Sequence, residues 1–267
     1  TFKTTGTVVM ANGYIDILPR GIFTPYVGAG VGFVSNDITR INALKGKVIA
    51  TAQFTEVDFF IRYLAQEAGM GVHMMRTLDE TPDPERINLV FTEDGFSAGD
   101  LCIEEWNDGK NRISGCVSWE PKTSEIVSAT GGKGHLLTSN RNLLIVADIL
   151  IVNRGFAEQN PAMVRGLAEG LLEGNRLVRD SQEAQLDLIA QSFKWTREDA
   201  RQELTKVHFS NLPENLAFFS GEIEDAGSFS GIYQSAVLAY GSEMIKNPVD
   251  PEHFVDAQFL GAIQKAG

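Results

Sequence analysis

One segment constrains the fold more than any other. The apolar run from Ile113 to Trp119 stops abruptly at Glu120-Pro121, and a helix-like segment, Lys122–Ala129, follows. The same grammar occurs earlier: Lys47 to Ala50 reads as a short strand, Thr51 to Thr55 as a corner, and Glu56 to Gly69 as a helix. Strands that end in polar corners and feed helices belong to open α/β sheets, which place ligand contacts at those corners.

The region between and beyond these corners repeats the alternation. The helix over Thr55–Ala68 carries Phe59, Phe60, Tyr63 and Leu64 at helical spacing. Leu89–Phe91 is a short apolar strand, and Thr92 to Gly95 is its corner. Ser97 is expected to N-cap a helix running through Trp106, with Leu101, Cys102 and Ile103 inward and Asn107 to Gly109 as the stop. Gly131 to Gly134 turns into a strand over His135–Thr138. These features predict a largely parallel sheet over residues 40–140.

The flanks differ in style. Residues 1–39 are rich in β-formers: Thr5–Ile17, a turn at Leu18 to Gly21, and Ile22–Val34 read as a β-hairpin. Gly28, Gly30 and Gly32 have G-x-G-x-G spacing with no helix directly after, which argues against a dinucleotide loop. In residues 141–267, the apolar run Leu143–Val152 predicts a long buried strand, interrupted by Asp148. Helices follow. Pro161 opens one whose apolar stripe is Met163, Val164, Leu167, Leu171 and Leu172. Gln182–Phe193 is the next, Thr196 to Asp199 has capping-box form, and Asn211–Phe219, Gly231–Ile245 and Pro251–Lys265 complete the set.

Composition narrows the function. With 267 residues the chain can bury a sizeable core in two lobes. Its net charge of −12, without a Lys/Arg cluster, disfavours nucleic-acid binding. No apolar run reaches the length of a membrane-spanning helix. The opening residues lack the pattern of a secretory leader. Cys102 and Cys116 read as two buried small hydrophobes, since a disulfide would need an oxidising compartment and suitable geometry.

Chemistry-bearing patterns are sparse. No G-x-S-x-G elbow is present, and His73, His135, His208 and His253 have no metal-ligand spacing. Glu104 and Glu105 read as a solvated helix face, and Glu93 and Asp94 as a better-placed pair at a strand end. The stronger candidates are the corners. Backbone N–H groups around Gln53, Phe54 and Thr55 can hold an anion, with the Thr55 hydroxyl beside them. Trp119 offers a flat apolar wall, and Glu120 an acceptor for a cationic or hydroxyl group. Asp148 is a weaker candidate, because a carboxylate inside an apolar strand needs a partner.

These elements resemble a known family. Leu44 to Lys47 before a strand, Trp119-Glu120-Pro121, Ile145 to Val152, and Phe156 to Pro161 opening a helix look like the substrate-binding proteins of ABC importers, in the nitrate/taurine/sulfonate and thiamine-precursor group. The resemblance covers roughly residues 40–265 and implies an α/β, type II periplasmic binding protein-like fold. A parallel-sheet lobe over 40–140 would be joined by a helix-rich second lobe over 141–267, with the N-terminal hairpin as part of the latter.

It further implies an extracytoplasmic protein that binds a small anionic or zwitterionic solute in an interlobe cleft. That solute would be of the nitrate, sulfonate, phosphate or thiamine-precursor class. The protein would deliver it to a permease, with no catalysis, cofactor or metal. Gln53, Phe54, Thr55, Trp119, Glu120 and Asp148 would be the contacts. The family's usual N-terminal part is missing from the resemblance, and residues 4–34 instead resemble a hairpin of an OmpA-like outer-membrane barrel. Two strands cannot close a barrel, so the hairpin is expected to pair with the strand at 143–152. Two other readings stay open: an enzyme related to thiamine-pyrimidine synthases, and a non-binding interaction module with an adhesive strand edge.

Overall fold

The computed structural model describes residues 6–9, 29–33, 38–140, 145–220 and 227–266. They fall into two compact units. A sheet unit comprises Val27–Val146 with Ser235–Lys246, and a helical unit comprises Thr1–Tyr26, Ala147–Gln234 and Asn247–Gly267.

The sheet unit is α/β. Strands β2 (Ala29–Phe33), β3 (Val48–Ala52), β4 (Val72–Met75), β5 (Ile87–Thr92), β6 (Gly115–Trp119) and β7 (His135–Ser139) form one sheet in the order β4-β5-β3-β6-β2-β7. Neighbours among β4, β5, β3 and β6 run parallel, whereas β2 is antiparallel to β6 and to β7. Every residue of the central strands β3 and β6 is buried. That is why both read as continuous apolar runs and not as alternating ones. Helices α1 (Glu56–Glu67), α2 (Gly95–Asn107) and α3 (Lys122–Ala129) follow β3, β5 and β6 in the chain. Ala98 and Cys102 of α2 join Val48, Ala50, Val90, Ile113, Cys116 and Ile126 in one core.

The predicted elements shift at their edges. β3 runs two residues beyond Ala50, taking Thr51 and Ala52 from the expected corner into the sheet. Strand β4 is an unforeseen edge strand. It is only partly buried, with His73 inside it, so its apolar signal is weak. Helix α2 starts at Gly95, and its cap is Asp94, whose carboxylate accepts the Ser97 N–H at 2.7 Å. Ser97 therefore lies in the first turn and is not the cap.

In the helical unit, β1 (Gly6–Val9) pairs antiparallel with β8 (Leu150–Asn153). The expected pairing of the N-terminal segment with the 143–152 run is present over these four residues. The expected hairpin is different: β1 and β2 lie in separate sheets, and residues 10–28 between them are outside the described residues. The long strand over 143–152 is also corrected. Residues 143–144 lie outside the described residues, and 145–149 are not strand. A four-residue partner supports a four-residue strand, and Ile145 is buried without one.

Helices α4 (Arg154–Gln159), α5 (Pro161–Asp180), α6 (Gln182–Phe193), α7 (Arg197–Leu204), α8 (Leu212–Phe219) and α10 (Gln258–Ala266) build the rest of this unit. Leu150, Ala157, Val164, Ala168, Phe219, Phe259 and Leu260 are its main core. The Thr196 and Asn211 capping boxes are both formed. The predicted α5 stripe is narrower than expected, because Met163 and Leu167 are exposed while Val164 and Ala168 face inward. The segment expected as one helix over 251–265 is a 3₁₀ turn, Pro251–Phe254, followed by α10. Helix α9 (Phe229–Met244) begins in the helical unit and ends in the sheet unit, with non-helical backbone at Gly241.

Candidate functional site

The sheet unit places three corners at the C-terminal ends of adjacent parallel strands: β3–α1, β5–α2 and β6–α3. By the β3–β6 register, Ile49 opposite Gly115 and Ala50 opposite Cys116, the first and third corners end level with each other.

The β3–α1 corner holds the least ordinary backbone. Phe54 has φ +60, a conformation that costs a non-glycine residue on the order of 1–2 kcal/mol. Its ring is nonetheless 68% exposed. The backbone is held by Asp58, one turn into α1, whose carboxylate accepts the Phe54 N–H at 3.0 Å. Thr55 occupies the N-cap position, but its hydroxyl donates back to the Ala52 carbonyl at 2.6 Å and caps nothing. Gln53 is exposed beside them. The expected ring of free N–H groups is thus partly occupied from within, because Asp58 already supplies a negative charge to this helix start.

Asp58 is a hub. It is fully buried and also accepts from Arg62 Nε at 2.7 Å and from the Tyr240 hydroxyl at 3.1 Å. The Arg62 guanidinium lies 5.0 Å from the centre of the Tyr240 ring, within cation–π range. The Phe54 and Tyr240 rings stand 6.2 Å apart, tilted. Burial, and then the Asp58 charge, push the Tyr240 hydroxyl well above its ordinary range, so it remains a donor. Arg62 Nη2 is buried without a hydrogen-bond partner.

The β6–α3 corner is packed. Trp119 is 3% exposed and meets Phe96 edge-on at 5.1 Å. Its indole also contacts Gly95, where an added Cβ would come within 2.9 Å of the ring. Ser118 fastens β6 to α2 by donating to the Gly95 carbonyl at 2.7 Å. The Trp119 indole lies near enough to Glu56, at the start of α1, to influence its carboxyl. Burial raises the Glu56 carboxyl above its ordinary range, against the smaller lowering effects of its own backbone N–H and of the Trp119 side chain. Trp119 is therefore a packed floor and not an open wall. Glu120, joined to Pro121 by a cis peptide, accepts from the Ser124 hydroxyl at 3.0 Å and its N–H at 3.3 Å, and so caps α3.

The structure brings Gln53, Phe54, Thr55, Trp119 and Glu120 to one end of one sheet. Asp148 belongs to the helical unit, half-buried and outside any strand. Of the carboxylate pairs, Asp94 is a cap, and Glu105 is not on a solvated face. It is buried and held by Arg112, at 2.6 Å from Nη2 and 3.0 Å from Nε, which keeps its carboxyl below the ordinary range. Among the described residues, no group of three or more His, Cys, Asp or Glu is placed to hold a metal ion.

Sequence reading missed Asp58, Arg62 and Tyr240. The first two carried a signal, an acid and a base at i,i+4 on an otherwise apolar helix face. Tyr240 carried none, because it reaches Asp58 across 182 positions of chain.

No protein-family model matches the chain, and no curated protein does. Solved structures do. The periplasmic aliphatic sulphonate binding protein SsuA from Escherichia coli superposes with a TM-score of 0.59 at 17% identity, over 86% of this chain and 68% of that one. A putative periplasmic sulfonate-binding protein from Methylobacillus flagellatus gives 0.60 at 15%, over 90% and 66%. The desulfurization enzyme DSZB gives 0.57 at 14%, over 98% and 80%. The chain spans about two thirds of the length of the two sulfonate-binding proteins. At these identities the likeness is one of fold: an α/β, periplasmic binding protein-like architecture. No helix among the described residues is long and apolar enough to cross a membrane.

Proposed function

We propose that this chain is the solute-binding component of an ABC-type import system. It acts outside the cytoplasm, holds one small solute at the strand ends of the sheet unit, and delivers it unchanged to a permease. The observation that carries this reading is Phe54: an aromatic ring presented to solvent on a left-handed backbone, fixed by a buried carboxylate and set beside Tyr240. Strain held in place by surrounding structure, with an exposed apolar ring at its tip, is a mark of a contact surface. The sulfonate-binding proteins of similar fold support the same role.

The residues take different parts. Phe54, Gln53 and Thr55 touch the solute. Trp119 and Glu120 position the neighbouring corner. Of the anionic and zwitterionic classes, the zwitterionic is favoured. Glu56 and Asp58 both stand in the first turn of α1, and Arg62 is already paired with Asp58. An enzyme of similar fold exists in DSZB. Here the corners offer neither histidine nor cysteine as a reacting group, and Cys102 and Cys116 are core residues.

Thermal-shift and calorimetric titration with 2-aminoethanesulfonate, ethanesulfonate, nitrate, phosphate and an aminopyrimidine tests the proposal. A ligand present at a hundred times its Kd stabilises by about 2.7 kcal/mol. At least one compound, the aminosulfonate first, should give a saturable shift that Phe54→Ala abolishes. No shift with any compound, or a Phe54→Ala variant that binds as well as the parent, overturns it.

A further inference from the structure

The hydrogen bonding of Arg62 is incomplete in an informative way. It is 3% exposed, its Nε donates to Asp58 Oδ1 at 2.7 Å, and its Nη2 is buried without a hydrogen-bond partner among the described residues. The Nε and Nη2 N–H groups share one edge of the guanidinium and match the two oxygens of a carboxylate. Other arginines of this chain close that fork on both oxygens: Arg112 on Glu105, Arg176 on Glu173 and Arg201 on Glu183. Arg62 does not, and the reason lies on Asp58. Its Oδ2 already accepts the Phe54 N–H at 3.0 Å and the Tyr240 hydroxyl at 3.1 Å. Four donors thus compete for two oxygens, and the buried cation is left short. A charged donor is costly to bury unmet. The observed arrangement therefore has a close competitor, in which Asp58 meets both Nε and Nη2 and lets go of Phe54 and Tyr240.

We propose that solute arrival exchanges these partners: an anionic oxygen of the solute takes the Phe54 N–H and the Tyr240 hydroxyl, and Asp58 turns onto the full Arg62 fork. This rests on the proposed solute-binding role and adds to it the donors that receive the solute's anionic end. Both donors already meet at one point, Asp58 Oδ2, so a single incoming oxygen can replace it for both. After the exchange each of the four donors has an acceptor. The Asp58 charge is then matched by two N–H groups of Arg62, and the anion meets neutral donors at the start of α1, where the helix dipole favours it. Arg62 and Tyr240 are positioning residues here. The guanidinium, 5.0 Å from the centre of the Tyr240 ring, holds that ring while its hydroxyl changes acceptor. Release of the Phe54 N–H also removes what fixes its left-handed backbone at φ +60, so Phe54 relaxes as the solute binds.

The test is NMR of isotope-labelled protein, reading the Phe54 amide and the Arg62 guanidinium N–H signals, beside calorimetry. The probes are 2-aminoethanesulfonate, ethanesulfonate, nitrate and phosphate. The expected result is that both sets of signals move together at the calorimetric midpoint. Arg62→Lys keeps the charge but presents no fork, and should weaken binding about tenfold or more, as loss of a charged hydrogen bond implies. Tyr240→Phe leaves Asp58 and Arg62 in place, and should weaken it about fivefold. Calorimetric binding with the Arg62 signals unmoved, or with either variant binding as tightly as the parent, overturns the exchange and leaves the solute-binding role standing. No saturable binding of any probe overturns both.

Discussion

Asp58→Asn is the perturbation that most directly tests the construction of the sheet unit's corner. The amide keeps the shape of the side chain and removes its charge. Arg62, 3% exposed, then loses the carboxylate 2.7 Å from its Nε while staying buried. Removing one partner of a buried ion pair costs about 3–5 kcal/mol, most of it the isolation of the remaining charge. The Phe54 N–H and the Tyr240 hydroxyl share the same acceptor. Their losses fall within that figure and are not to be added to it, because the three contacts form one network.

For a chain of this size, about 4 kcal/mol lowers the melting temperature by roughly 10 °C. The assay is tryptophan fluorescence during thermal and urea unfolding in a Trp195→Phe background. That change leaves Trp106 and Trp119, both in the sheet unit, as the reporters. A double-mutant cycle with Arg62→Met completes the experiment. The double variant should be less destabilised than the sum of the singles, since no charge is left stranded. An Asp58→Asn midpoint within about 2 °C of the parent, or strict additivity in the cycle, would refute the reasoning.

Three further outcomes follow from the same geometry. Gly95→Ala places a methyl against the Trp119 ring and should cost about 1–3 kcal/mol by urea unfolding, with a shifted Trp119 emission. Glu56 has a raised carboxyl, so folding favours its protonated form; that stabilisation is complete below the unfolded-state value and is lost as pH climbs through the folded one. Glu56→Gln should therefore match the parent at acidic pH and melt higher than it at neutral pH. Tyr240→Phe removes one hydrogen bond to Asp58 and should cost about 1–3 kcal/mol in urea, while Arg62 remains paired.

What could be read from the sequence was whatever local chemistry decides. Burial on both faces wrote β3 and β6 as continuous apolar runs. Capping chemistry wrote the start of α7 and α8, and Pro161 wrote the start of α5. Strand β4 and the earlier part of the 143–152 run were misjudged because pairing partners, not composition, set their lengths. The corners were legible as corners, and their contents were not. Trp119 looked like a wall because a tryptophan at a strand end is large and apolar, yet the absence of a Cβ at Gly95 and the edge of Phe96 let it sink into the packing. Phe54 was legible as a corner residue with a backbone donor, but nothing in a sequence announces a left-handed backbone at phenylalanine or the exposure of its side chain. Cys102 and Cys116 read as buried small hydrophobes, and both lie free in the core between α2 and β6.

The passage of α9 from one unit into the other has a consequence for how the protein is made. All six described strands of the sheet unit have been synthesised once Ser139 is added, yet the hydroxyl that completes the Asp58 hub comes from residue 240. A nascent or truncated chain ending at Val146 carries the whole sheet with an incomplete hub and with no Tyr240 ring beside Phe54. The corner proposed to recognise solute is finished only by a side chain 182 positions beyond Asp58, so chains that stop short of it have the sheet without its recognition surface.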